Sequence, residues 1–78
     1  MTYHKFEELP LFLRAYIEEM VSKEAAEWVA RPVPALEGKS FLEYINAVGV
    51  SKAAAYLSNV GTKYGLPHAV RIPPDFRE

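Results

Sequence analysis

The stretch Trp28-Val-Ala-Arg-Pro-Val-Pro-Ala-Leu-Glu-Gly-Lys-Ser-Phe-Leu-Glu-Tyr-Ile45 constrains this chain most. A helix cannot run through it. Pro32 restricts Arg31 to extended backbone and has no N–H to donate, so any helix carrying Trp28 stops there. Pro32-Val-Pro-Ala-Leu-Glu-Gly38 reads as a stiff turn, with Gly38 at a positive-φ position that other residues resist. Ser40 and Glu43 form a Ser-x-x-Glu capping box, which opens a new helix carrying Phe41, Leu42, Ile45 and Val48. Helix, rigid corner and helix in so few residues specify a surface as well as a core.

The rest of the chain continues the helical pattern. Apolar residues at 9, 12, 13, 16, 17, 20 and 21 trace an amphipathic helix from Leu9 to Val21, with Arg14, Glu18 and Glu19 on the wet face. Pro10 falls near its first turn, and Glu7 and Glu8 suit the positive end of its dipole. Ser22 is read as the cap of a second helix reaching about Ala30. The alternative is one continuous helix, since Lys, Glu and Ala are good formers; a break near Ser22 is the favoured reading. Gly49 fits the residue after the third helix, with Val50 supplying the apolar contact of a Schellman ending. Ser51 is read as the cap of a fourth helix bearing Ala53, Tyr56, Leu57 and Val60 on one side. Gly61 weakens that helix, and Gly65-Leu-Pro67 stops it.

No segment alternates polar and apolar residues as a strand does, so the predicted fold is all-α: three to four short helices with an extended C-terminal tail. Residues 1–7 read as a flexible leader, 8–66 as the helical domain and 67–78 as the tail. The length of 78 residues allows one small domain, which buries only about 60% of its unfolded surface and gains from a partner.

Composition removes several classes of function. Cysteine is absent, which excludes a disulfide, a zinc–thiolate centre and a thiol nucleophile. The absence also fits a cytoplasmic protein. Net charge is −1 with both signs interspersed, giving no footprint for nucleic acid. No apolar run approaches the roughly 18 residues of a membrane span. A peripheral helix over 9–21 would carry an acidic polar face where a basic one is expected.

Reactive groups are scarce. Gly38-Lys39-Ser40 ends like a phosphate-binding loop, but that pattern requires a glycine at position 33, which is valine, and two prolines stiffen the loop. His4 and His68 lie near opposite ends, so no metal site is expected. The pairs Glu7-Glu8 and Glu18-Glu19 point about 100° apart on a helix and read as solvated faces. Glu27 and Arg31 make an i,i+4 ion pair worth about 0.3 kcal/mol. No catalytic residue and no cofactor is assigned. Tyr16, Tyr44, Tyr56 and Tyr64 are more telling, because tyrosine and tryptophan are enriched both at core edges and at protein interfaces.

The spacing Trp-x3-Pro-x3-Leu-x-Gly-x2-Phe-Leu-Glu-x-Ile resembles the toxin-binding domain of the Xre/MbcA/ParS antitoxin family. That family carries Trp-Leu-x-x-Pro-Asn-x-x-Leu-x-Gly-x-x-Pro-Leu-Glu-Leu-Leu. Trp28, Pro32, Leu36, Gly38, Leu42 and Glu43 match without a gap, and the likeness extends over about residues 22 to 66, with Ser40 and Gly49 as structural positions. Val33 stands where the family has Asn, and Phe41 where it has Pro. Lys63-Tyr64-Gly65 only approximates the family's ending. The resemblance implies a small helical antitoxin, without the usual helix-turn-helix, that occludes the active site of a RES-type NAD-consuming toxin.

Candidate partner-binding residues are then Trp28, Pro32, Pro34, Leu36, Tyr56 and Tyr64, with Arg71 and Phe76 from the tail. A proline-stiffened tail loses less entropy on entering a cleft, and Arg71 suits an acidic or phosphate-binding pocket. The same tail equally suits wrapping onto its own domain or onto a dimer mate. A homodimeric adaptor without any toxin is the alternative function.

Overall fold

The computed structural model describes residues 2–76, and among these every regular element is helical. In chain order they are a 3-10 turn at Phe6–Glu8, α1 (Leu11–Val21), a 3-10 turn at Ser22–Glu24, α2 (Ala25–Ala30), a 3-10 turn at Pro34–Leu36, α3 (Phe41–Val48) and α4 (Val50–Lys63). The all-α expectation holds, with four α-helices among the described residues.

The core is drawn from every helix. Leu9, Leu13, Ile17, Val29, Phe41, Ile45 and Leu57 are each no more than 2% exposed. On α1, Leu13, Tyr16 and Ile17 are buried, and Phe12, Met20 and Val21 pack partly against them, as the i, i+3, i+4 spacing requires. The helix starts later than its apolar stripe. Pro10, with ψ 145, is the extended residue before the first turn, and its carbonyl accepts from the Leu13 and Arg14 N–H groups. Glu7 and Glu8 therefore sit in a separate 3-10 turn, outside the first turn of α1.

The expected leader, 1–7, is not loose at Tyr3 and Phe6. Tyr3 and Phe6 are each 8% exposed and belong to the core. Asn46 on α3 clasps the segment twice: the Tyr3 N–H donates to Asn46 Oδ1 at 2.8 Å, and Asn46 Nδ2 donates to the Tyr3 carbonyl at 2.8 Å. Met1 lies outside the described residues.

A break does occur at Ser22, but not through side-chain capping. The Ser22 N–H closes the last turn of α1 on the Glu18 carbonyl, and its backbone then swings to φ 54, ψ −127. A 3-10 turn follows before α2 begins at Ala25.

Gly49 alone links α3 to α4. Its φ of 92 is positive as expected, yet its ψ of 169 is extended, so no Schellman ending forms and Val50 begins the next helix. The Gly49 N–H closes α3 on Ile45, while its carbonyl accepts from Ala53. The fourth helix accordingly starts at Val50, before the expected cap at Ser51. Gly61 also plays a different part from that expected: it lies inside α4, buried beneath the Tyr16 ring.

Candidate protein-binding face

The corner between α2 and α3 closes on itself. Arg31 is extended (ψ 134), as a residue before proline must be. The Leu36 and Gly38 N–H groups both donate to the Val33 carbonyl, and the Val33 N–H donates to the Lys39 carbonyl at 3.0 Å. Glu37 (φ 59) and Gly38 (φ 84) reverse the chain in the left-handed region. A Cβ on Gly38 would meet nothing within 4 Å, so its backbone angle, and not space, calls for glycine. This geometry turns Leu36 inward and leaves Pro32 and Pro34 exposed.

The capping box then fixes where α3 starts. The Glu43 N–H donates to Ser40 Oγ at 3.2 Å, and the Ser40 N–H donates to Glu43 Oε1 at 2.9 Å. Two orphan donors are satisfied reciprocally, although Ser40 is buried. Glu43 is thereby committed to a backbone role.

Four rings run behind this corner. Trp28 lies 5.9 Å from Phe41 by ring centroids, Phe41 stacks 6.3 Å from Tyr56, and Tyr56 meets Tyr44 at 5.4 Å. Phe41 is fully buried, whereas Trp28, Tyr44 and Tyr56 each keep part of their surface in solvent. Trp28 is partly buried, packed against the core on one side.

Two open grooves flank the row. The larger, about 480 Å³, lies between the proline corner, α3 and α4, and includes Leu36, Tyr44, Val48, Tyr56 and Val60. The second, about 400 Å³, is lined by Met20, Val21, Trp28, Arg31 and Tyr64 among others. Burial raises the Tyr56 phenol above its ordinary pKa, and the neighbouring Tyr44 and Tyr64 add to the effect. At neutral pH it is a hydrogen-bond donor. Among the described residues no three His, Asp or Glu side chains converge as a metal site.

Of the predicted partner-binding residues, Leu36 and Tyr56 line the larger groove and Trp28 and Tyr64 the second, while Pro32 and Pro34 are exposed on the corner. The two from the tail do not join them. Phe76 packs edge-on against Phe12 of α1 at 5.1 Å, and Arg71 is exposed. The described part of the tail, 67–76, is laid back on its own domain. Tyr16 Oη donates to the His68 carbonyl, the Val70 N–H donates to Ser58 Oγ, and Val70 packs against the core. Arg77 and Glu78 lie outside the described residues. Of the two readings of the tail, the structure shows the wrapping onto its own domain.

His68 is exposed but makes two side-chain contacts. Its ring meets Tyr16 edge-on at 5.7 Å, and its Nε2 lies 3.2 Å from Glu19 Oε2. Glu27 and Arg31 do approach, at 4.0 Å and on the exposed surface. Asn46, Ser58 and Gly61 carry tertiary roles that the sequence reading passes over.

Comparison with models of known families, with curated proteins and with solved structures finds no match.

Proposed function

We propose that this chain is a protein-binding module whose recognition surface is the face built by α2, the proline corner, α3 and α4. The observation that carries this reading is the row Trp28–Phe41–Tyr56–Tyr44, rooted in the core and opening onto two grooves. Rigid aromatic side chains held by the core lose little entropy on contact and dominate binding energy where they occur. The exposed Pro32 and Pro34 hold the corner in shape before any partner arrives.

The motif spacing across residues 28–45 supports a more specific form. In this form the module is antitoxin-like and neutralises a RES-type toxin by occluding its active site. The occluding elements are the proline corner and its grooves, because the tail is engaged with α1 and α4. The test is co-expression with a RES-type enzyme from the same genome. Rescue of growth, lost when Trp28 or Tyr56 is replaced, supports the proposal. Unrelieved toxicity, with no complex on size exclusion, overturns the antitoxin form.

A homodimeric adaptor is the alternative. Leu11 on α1 is 69% exposed and Ile72 is 40% exposed, apolar surface that a second copy would cover. Light scattering across a concentration series tests it: a dimer that Leu11→Ser dissociates favours this reading, and a monomer throughout excludes it.

A further inference from the structure

The larger groove carries information about the chemistry of its occupant. Along α4, Tyr56, Asn59, Val60 and Lys63 recur at i, i+3, i+4 and i+7, so one stripe of the helix faces the groove. On α3, Tyr44, Ala47 and Val48 form a matching stripe. The single-residue link at Gly49 joins the two helices, and the proline corner supplies the third wall through Leu36 and Lys39.

The lining mixes apolar residues with polar ones whose charges are uneven. Among the described residues, Lys39 and Lys63 form no ion pair, since the two present are Arg31–Glu27 and His68–Glu19. Tyr44, Tyr56 and Asn59 line the same groove and add hydroxyl and amide groups to its side chains. Tyr56 stays protonated to high pH because burial and its tyrosine neighbours disfavour the phenolate, so it offers a donor. The one carboxylate in the lining is Glu37, against two ammonium groups. The groove therefore presents an excess of cations and hydrogen-bond donors around aliphatic side chains.

We infer that this groove docks an acidic amphipathic segment of a partner protein, with aliphatic side chains on Leu36, Val48 and Val60 and carboxylates at Lys39 and Lys63. The inference rests on the protein-binding reading and names the chemistry of the partner's contact segment. Charge complementarity selects this occupant: a basic segment would meet two like charges, and a purely apolar one would leave the ammonium rim unanswered.

The test uses the full chain, isotopically labelled, and two short synthetic helical peptides. Both repeat leucine at i, i+3, i+4 and i+7; one fills the remaining positions with glutamate, the other with lysine. Saturable shifts of the Tyr44, Ala47, Asn59 and Lys63 amides are expected with the glutamate peptide alone, weakening as salt rises. Lys39→Glu with Lys63→Glu is expected to weaken that peptide about tenfold and to admit the lysine peptide. Both positions are exposed, and circular dichroism verifies that the double variant stays folded. Equal binding of the two peptides, no shift at these amides, or indifference to the double substitution overturns the inference. Shifts of the same amides on concentrating the protein alone would seat a second copy there, and also overturn it. A RES-type partner whose binding survives the double variant but fails with Trp28 replaced leaves the protein-binding reading intact and removes this one.

Discussion

The Tyr16 ring lies directly across the backbone of Gly61, so closely that a Cβ at position 61 would stand 2.7 Å from Cζ and 2.9 Å from Cε2. The glycine lets α1 and α4 approach where the phenol must pass on its way to the His68 carbonyl, 2.9 Å from Tyr16 Oη. One missing side chain on α4 thus determines where the C-terminal segment is pinned.

Gly61→Ala is therefore expected to destabilise the domain, although alanine is the better helix former. Propensity favours alanine by about 1 kcal/mol, while forcing a buried ring aside costs about 1–3 kcal/mol. Tyr16 is 4% exposed and held at its hydroxyl, so it cannot swing clear without releasing the tail. Thermal unfolding should show a lower Tm, with faster hydrogen exchange at the Val70 amide. In a Tyr16→Ala background the same substitution should become neutral or stabilising. A stabilising Gly61→Ala in the wild-type background would contradict the packing argument.

The same tyrosine makes stability depend on alkaline pH. Burial raises the Tyr16 pKa above 10.0, with the Glu19 carboxylate adding to the shift. In the unfolded chain the phenol loses its proton near 10, before it does so in the folded one. Above that point the unfolded state binds fewer protons, so the stability difference falls as pH rises. The contribution is complete below about pH 10 and lost as pH climbs through the folded value. Denaturant midpoints measured from pH 8 to 12 should therefore drop more steeply for the wild type than for Tyr16→Phe. Tyr56, raised mainly by burial as well, predicts the same direction for Tyr56→Phe.

Ser22 supplies a prediction of the opposite sign. Its φ of 54 with ψ of −127 is a conformation that glycine adopts freely and a side chain resists. Ser22→Gly should stabilise the protein by about 0.5–1 kcal/mol, net of the extra freedom glycine gains when unfolded. Ser22→Val should cost more than that, since branching at Cβ worsens the same clash. Urea midpoints that fall for the glycine variant would show that the Ser22 hydroxyl offsets its backbone strain.

Much of this fold was legible because its signals are local. The capping box at Ser40 and Glu43, the helix stop before Pro32 and the positive φ of Gly38 each arise within a few residues of chain. What escaped is tertiary. Nothing near Tyr3 announces that Asn46 will clasp its backbone, and nothing near Gly61 announces Tyr16. The helix-weakening reading of Gly61 weighed propensity alone, and close approach between helices outweighs it. The tail misled for a related reason. Prolines keep residues 67–76 out of helix, with a turn closed by the Phe76 N–H on the Pro73 carbonyl, but that does not state what the segment lies against; Ser58, Tyr16 and Phe12 decide that from elsewhere in the chain. For the candidate face, spacing gathered Trp28, Leu36 and the prolines, while the Lys39–Lys63 rim required knowing that α4 returns beside the corner.

Trp28 separates stability from recognition. Its ring contacts buried Phe41 on one side and a groove on the other, so truncation removes both packing and surface. Full burial would imply a loss of about 3–5 kcal/mol for Trp28→Ala; partial exposure lowers the expectation to about 2–3 kcal/mol. For so small a domain that is a large share of the stability available. Trp28→Phe preserves the contact with Phe41 while reducing the ring surface offered to the groove, and should lose about 1 kcal/mol or less. If the face binds a protein, Trp28→Phe should fold normally yet weaken the complex several-fold by calorimetry. An unchanged affinity in that variant would confine Trp28 to the core and shift recognition to Tyr56 and the proline corner.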